Sequence, residues 1–242
     1  MNDRELELLF IDLDNTLTNR RLVYERWATG FVRKHPEVAM SRDLEATRRA
    51  LIDADGLGAV PRDHFCAAIA NLFPVGARPP IDKVWLEFGE DFIASIEPDP
   101  EVTDAVEQLA KRYRLALLSN GSGERQRAKL DRLGLERHFH RLFISDEVGA
   151  AKPDPQIFEH ALSVCGVPRK RALMIGDDPK RDIAGALAVG LPACWIARGR
   201  RWSETGVAAT PALRLPATAP TWVVEDLPAL AHQLLADSDQ LD

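Results

Sequence analysis

Two aspartates close an apolar run near the amino terminus: in ELLFIDLDNTLTN (residues 7–19), Leu8 to Ile11 are followed by Asp12 and Asp14 with Leu13 between them. Residues two apart in extended chain point the same way, so both carboxylates can face one pocket while Leu13 turns to a core. Charged aspartates are seldom buried without a partner. Two unit charges about 4 Å apart repel by roughly 4 kcal/mol at an effective dielectric of 20. A third carboxylate, Asp177 in GDDPKRD (176–182), ends another apolar run and would sharpen the conflict. A hard divalent cation such as Mg²⁺, which prefers one or two carboxylates plus waters and phosphate oxygens, resolves it. Ser119 in LLSNG (117–121) and Lys152 in AAKPDP (150–155) could then bind the remaining oxygens of a phosphoryl group. With the phosphate neutralised in this way, an aspartate can attack it and form an aspartyl-phosphate.

These residues need a scaffold that brings them to one place. Short apolar runs occur at 6–12, 114–119, 141–145, 171–176, 191–197 and 221–225. Most are apolar throughout, as strands buried on both faces should be. Between the later runs lie helical patterns at 101–112, 123–133, 155–165 and 180–189; in the first, Val102, Ala105, Val106 and Leu109 share one face. Alternating strand and helix predicts right-handed βαβ units, hence an α/β fold with a Rossmann-like parallel sheet sandwiched by helices. In such a sheet ligands bind outside the carboxyl ends of the strands, where Asp12, Ser119, Lys152 and Asp177 all fall.

The first strand breaks the rhythm, because about a hundred residues separate it from the run at 114, against roughly 30 for one βαβ unit. The excess reads as helices at 20–34, 41–54, 61–72 and 81–96, punctuated by Pro36, Gly56, Gly58, Pro61, Pro74, Pro79 and Pro80. We therefore expect a core domain of 1–17 and 98–242 and an inserted helical domain of 18–97. The arginine- and proline-bearing stretch 199–220 reads as a surface loop.

In order and spacing, DLDNT (12–16), LLSNG, Lys152 in KPDP and GDDPKRD resemble the four motifs of the haloacid dehalogenase superfamily, and the insert after the first motif resembles its C1-type helical cap. The resemblance runs over essentially the whole chain. It implies that Asp12 is the nucleophile, that Asp14 is the general acid/base, and that Ser119, Asn120 and Lys152 bind the phosphoryl group. It also implies Mg²⁺ held by Asp12, Asp14 (through its backbone carbonyl) and Asp177, with Asp182 either a further ligand or a support behind the ligands. Members that cleave carbon–halogen bonds lack an aspartate at the position of Asp14, so its presence favours hydrolysis of a phosphate ester, with Asp14 protonating the leaving alkoxide and then activating water. The implied substrate is a small phosphorylated metabolite, such as a sugar phosphate or a nucleotide. A phosphomutase, which returns the phosphoryl group to substrate rather than to water, shares all these residues. A phospho-accepting receiver module also uses acidic residues, Ser/Thr and Lys on a parallel sheet, but is much shorter and has no helical insert.

Several neighbours read as structural. Asp178 and Asp154 each precede a proline, the pattern of a helix N-cap followed by Pro at the first helical position. Thr16 is expected to steady its turn through side-chain hydrogen bonds. Trp85, Phe88 and Phe92, at helical spacing, read as the core of the insert, and Arg20, Arg21, Tyr24 and Trp27 are candidates for contact with the non-phosphate part of a substrate.

Composition narrows the field. At 242 residues, 45% hydrophobic and 28% charged, the chain can bury a sizeable core. A net charge of −6 with both signs interspersed argues against general nucleic-acid binding. No run approaches the roughly 18 apolar residues of a membrane span. The acidic amino terminus lacks a signal-peptide layout, and Cys66, Cys165 and Cys194 are widely spaced among apolar neighbours, so a cytoplasmic protein with reduced thiols is expected, as monomer or homodimer.

Overall fold

The computed structural model describes residues 6–39, 43–56, 60–205 and 220–236. The chain divides into two compact units: residues up to Thr18 together with those from Pro98 onward, and Asn19–Glu97.

The first unit is built on six strands: β1 (Leu8–Ile11), β2 (Arg114–Ser119), β3 (Phe139–Ile144), β4 (Ala172–Gly176), β5 (Ala193–Ile196) and β6 (Trp222–Val224). They lie in the order β3-β2-β1-β4-β5-β6, with every pairing parallel. The β1 residues are completely buried, which explains why the run carries no polar alternation. On one face Leu8, Phe10, Leu118 and Met174 pack with Ile157 and Phe158 of the helix Pro155–Cys165 and with Ile183. Fully burying a side chain of this size stabilises the fold by about 1.5–3 kcal/mol, so β1 and its neighbours form a stiff base for whatever follows them.

The register sets the site. Ile11 lies beside Leu117 of β2 and Ile175 of β4, so Asp12, Ser119 and Asp177 emerge at one edge. The chain runs outward from β1 through β2 to β3 and then returns to β4 on the other side of β1. That reversal is the topological switch point at which open α/β sheets bind ligands.

The flanking helices follow their signals closely. In chain order through both units they are α1 (Arg20–Lys34), α2 (Leu44–Asp55), α3 (Arg62–Ala70), α4 (Ile81–Ala94), α5 (Pro100–Arg112), α6 (Gly123–Leu133), α7 (Ser145–Val148), α8 (Pro155–Cys165), α9 (Gly185–Ala188) and α10 (Leu227–Ala236). Asp99, Ser122 and Asp154 accept hydrogen bonds from the first turns of α5, α6 and α8, satisfying otherwise orphaned N–H groups. α6 ends at Gly134, whose φ of 70° is the left-handed conformation a helix stop favours.

The pattern at 180–189 is not one α-helix. Pro179–Ala184 is wound as a π-turn, and only Gly185–Ala188 is α-helical. Asp178 caps the turn by accepting from the backbone N–H groups of Lys180 and Arg181. The wider turn coincides with Asp182, whose carboxylate is engaged inside the site, and such local rewinding is frequent where a side chain must be re-aimed. Of the stretch 199–220 expected as a loop, residues 206–219 lie outside those described; residues 41 and 42 of the expected second helix of the insert do too.

The second unit holds α1 to α4. Its core is aromatic: Tyr24 and Trp27 of α1 meet Phe65 of α3 and Phe88 and Phe92 of α4, and Phe31 packs between Trp27 and Phe73. Tyr24 and Trp27, candidates for substrate contact by sequence, are thus buried core residues, while the Arg20 guanidinium lies over the rings of Tyr24 and Phe92. Trp85 is only half-buried and stacks near Phe88. Cys66, Cys165 and Cys194 are buried and form no disulfide with one another.

Candidate active site

Beyond β1 the chain turns sharply through Asp12 to Thr18. Asn15 takes a left-handed conformation (φ 63°), which asparagine tolerates better than most residues. Thr18 Oγ accepts from the Asn15 N–H, at 3.1 Å. The steadying hydroxyl is therefore that of Thr18; the Thr16 hydroxyl, expected in that role, is buried without a hydrogen-bond partner among the described residues. Arg198, itself at a positive φ of 47°, reaches back and donates to the carbonyls of Asn15, Thr16 and Thr18. One guanidinium thus holds three carbonyls of a turn that has no ladder to bond to.

Lys152 stands at the centre of the acidic edge. The residue is 3% exposed, and its ammonium donates to Asp12 Oδ1 at 2.7 Å, Asp182 Oδ1 at 2.7 Å and the Leu118 carbonyl at 2.6 Å, which spends all three of its protons. Asn120 fixes the segment that carries it: its side chain donates to the Lys152 carbonyl and accepts from the Lys152 N–H, both at 2.8 Å. Asn120, placed by sequence among the phosphoryl-binding residues, thus engages the backbone of Lys152. Asp182 also accepts from the Asp178 N–H at 2.9 Å. A Cβ at Gly176 would collide with the Asp182 carboxylate, so glycine is required for this close approach.

Asp177 is held from two sides. Asn15 donates to Asp177 Oδ2 at 2.6 Å and Arg200 to the same oxygen at 3.1 Å, while the Arg200 guanidinium rests over the Trp195 ring. Asp14 points to a different neighbourhood, with the Lys129 ammonium at 2.6 and 2.8 Å from its two oxygens. The buried Ser119 hydroxyl accepts from Gln126 at 2.7 Å. The structure therefore brings Asp12, Lys152, Asp177 and Asp182 into one cluster and sets Asp14 and Ser119 in a second, joined to the first through the turn after β1 and the end of β2.

The charges in the first cluster do not balance. Burial and the neighbouring Asp182 raise the Asp12 carboxyl, against the lowering effect of Lys152, and burial likewise raises Asp182. Burial alone would pull the Lys152 ammonium down, but Asp12 and Asp182 outweigh it and the net shift is upward. Two carboxylates share one ammonium, so lysine stays charged and the excess negative charge appears on the acids. Asp177 is raised to about 6, first by burial and then by Asp12. One carboxylate oxygen from each of Asp12, Asp177 and Asp182 lies within 4.8 Å of the others. An all-oxygen donor set with surplus negative charge fits a hard divalent cation of the Mg²⁺ type.

A pH dependence follows for the metal-free protein. An acid raised in the fold binds more protons folded than unfolded, so its contribution to stability falls as pH rises. Holding Asp177 at about 6 against 3.8 costs about 3 kcal/mol once the pH exceeds both values. In EDTA, Asp177→Asn is expected to match wild type near pH 4 and to exceed it by about that amount above pH 6.5. Urea unfolding at several pH values measures this, and a constant difference would contradict it. Added Mg²⁺ should raise the wild-type Tm more at pH 7.5 than at pH 5.

Four residues of this arrangement escape a reading of motifs: Gln126, Lys129, Arg198 and Arg200. The signal for the first two was present in α6, where positions 126 and 129 fall on the same helical face as Leu130 and Leu133. Among the described residues, no helix is long and apolar enough to cross a membrane.

Comparison with known proteins places the chain in a family. The family model described as haloacid dehalogenase-like hydrolase matches residues 6–190. The chain is 36% identical to the pyrimidine 5'-nucleotidase YjjG of Escherichia coli over 57% of its own length and 56% of the relative's. It is 28% identical to a glyceraldehyde 3-phosphate phosphatase of Methanopyrus kandleri over 81% of its length and 85% of that protein. The chain spans about half the length of the first of these curated relatives. Among solved structures, the magnesium-bound HAD-hydrolase YfnB of Bacillus subtilis superposes with a TM-score of 0.71 at 21% identity, covering 95% of this chain and 98% of that one. The L-2-haloacid dehalogenase of Xanthobacter autotrophicus superposes with a TM-score of 0.66 at 20% identity, with the same coverage. At these identities the two structures speak to the fold alone.

Proposed function

Because the chain belongs to the haloacid dehalogenase-like hydrolases, we propose that it is a Mg²⁺-dependent phosphatase that removes phosphate from a small phosphorylated metabolite through an aspartyl-phosphate on Asp12. The observation that carries this reading is the second carboxylate. Asp14 stands outside the cluster of Asp12, Asp177 and Asp182, its oxygens held by Lys129 and by Gln126, which also bonds Ser119, and proton transfer is its role in this reading. Breaking a carbon–halogen bond releases halide, which needs no proton; breaking a phosphate ester releases an alkoxide, which does. Relatives named as a pyrimidine 5'-nucleotidase and a glyceraldehyde 3-phosphate phosphatase support the same choice.

Each residue has a part. Lys152 holds one oxygen of Asp12 and leaves the other to attack phosphorus. As that bond forms, the bond from phosphorus to the ester oxygen breaks, and Asp14 delivers a proton to the departing alkoxide. Water then attacks the phosphorus of the aspartyl-phosphate, Asp14 takes the proton from it, and the bond between phosphorus and the Asp12 oxygen breaks to release phosphate and regenerate the carboxylate. The Ser119 hydroxyl and the Lys152 charge stabilise the phosphoryl oxygens. Asp12, Asp177 and Asp182, with the Asp14 carbonyl, would hold Mg²⁺, which when bound supplies positive charge against the phosphoryl oxygens.

The test is a panel of phosphate esters and 2-haloacids assayed with Mg²⁺ and with EDTA. Phosphate release from at least one ester, lost in EDTA and restored by Mg²⁺, is the expected result. Halide release from the haloacids, or ester hydrolysis that persists in EDTA, would sink the reading.

A further inference from the structure

α6 carries two polar side chains on the face it buries. Gln126 is 2% exposed and Lys129 is 8% exposed, on the same side as Leu130 and Leu133. An amide and an ammonium are costly to bury unless hydrogen-bonded, and the partners of both lie in the candidate site. Lys129 bridges the two oxygens of Asp14 at 2.6 and 2.8 Å. Gln126 Nε2 donates to Asp14 Oδ2 at 3.2 Å and to Ser119 Oγ at 2.7 Å.

The amide orientation is forced, because a carboxylate oxygen requires a donor opposite it. Both amide hydrogens are then spent, one on each partner. Ser119 Oγ is an acceptor in that bond, so its own proton is directed elsewhere and remains available to another oxygen. Backbone geometry sets Gln126 in place: Ser122 caps α6, and the Gln126 N–H bonds the Ser122 carbonyl at 3.1 Å. Gly121 completes the seat. Its φ is 147°, and a Cβ there would come within 3.0 Å of Gln126 Cδ, so glycine leaves room for the amide.

We propose that Gln126 and Lys129 are positioning residues that hold Asp14 and Ser119 as one unit, keeping the proton-transfer carboxylate and the phosphoryl-binding hydroxyl at a fixed separation. The inference rests on the phosphatase reading above and adds to it the source of Asp14's placement. A group held by two donors on one helix cannot drift without the helix, and misplacement by about 1 Å can cost on the order of 10²-fold in rate.

Leaving-group dependence separates positioning from general support of the fold. kcat/KM is measured with Mg²⁺ for an alkyl phosphate, whose alkoxide needs a proton, and for 4-nitrophenyl phosphate, whose phenolate departs without one. Lys129→Met and Gln126→Leu are expected to lower kcat/KM for the alkyl ester by about 10²-fold and for the nitrophenyl ester far less, with Lys129→Arg recovering most of the alkyl activity. Equal losses on both esters, or no loss, would overturn the proposal. Should Lys129→Met fail to fold, the same ratio is read in Gln126→Met, which keeps the side-chain length and removes only the amide. The alkyl ester is the best substrate of the panel above: a wild type that releases phosphate from no ester of that panel refutes the phosphatase reading, and this inference with it; an active wild type whose variants lose both esters equally refutes the inference alone.

Discussion

Asp12→Asn is expected to abolish turnover while leaving the fold intact, lowering kcat on the order of 10⁴-fold or more. Asparagine has nearly the shape of aspartate, and its oxygen can still accept the Lys152 hydrogen bond that Asp12 Oδ1 accepts at 2.7 Å. What it lacks is a nucleophilic carboxylate. The two consequences separate chemistry from structure. Acid-quenched single turnovers with a labelled ester should trap phosphate on the wild-type chain and none on the variant. In EDTA the variant should melt higher than wild type at pH 7.5, because it removes one of the buried acids that compete for a single ammonium. Retention of more than a trace of activity would mean that another residue attacks. A lower Tm would mean that Asp12 is a net contributor to the metal-free fold, against the charge count.

Lys152→Met has the opposite signature and the larger structural effect. Lys152 is the one cation within hydrogen-bond distance of both Asp12 and Asp182 among the described residues, and all three groups are buried. Removing one partner of a buried ion pair typically costs about 3–5 kcal/mol, because the other is left uncompensated. Methionine keeps the length of the side chain, so the loss is electrostatic rather than a cavity. The sign of its pH dependence is fixed by the remaining acids. Their carboxyls, already raised, rise further without the ammonium, so the folded state holds protons that the unfolded state has released. The penalty should therefore be small near pH 4 and grow through pH 6 to 8. Denaturant unfolding of wild type and variant across that range measures it. A penalty that shrinks as pH rises would contradict the proposed arrangement, as would ester hydrolysis near wild-type rates.

The parallel sheet was legible because its central strands are buried on both faces and so read as unbroken apolar runs, as in LELLFID and RALMIG, whereas the edge strands β3 and β6 are partly exposed. Helix starts were legible where chemistry marks them: Asp154 and Asp178, each followed by proline, are caps in the structure as expected. The π-turn at 179–184 was not, since hydrophobic spacing over six residues does not distinguish windings, and what coincides with it is a carboxylate bonded across the site. Thr16 and Thr18 show a similar limit. Both hydroxyls lie in one turn, and only the backbone path decides which one meets the Asn15 N–H. Lys129 and Gln126 were obscured for a different reason. Their spacing puts them on the buried face of α6, but polar residues on an amphipathic helix are assigned to solvent by default, and the carboxylate they share, Asp14, lies 115 and 112 residues earlier in the chain.

The π-turn carries one more implication, for how the sequence can vary. Asp182 must come back over Gly176, whose missing side chain makes the space, and must meet Lys152 on one oxygen and the Asp178 N–H on the other. The backbone arranges this with two bonds to a single carbonyl, Asp182 N–H and Ile183 N–H both reaching Asp178 at 3.0 and 3.3 Å. Lys180 and Arg181 are exposed and free to change type. Their number is not free. One residue more or fewer between Asp177 and Asp182 would rotate the carboxylate away from the lysine, so this surface turn should accept substitutions readily and insertions or deletions not at all.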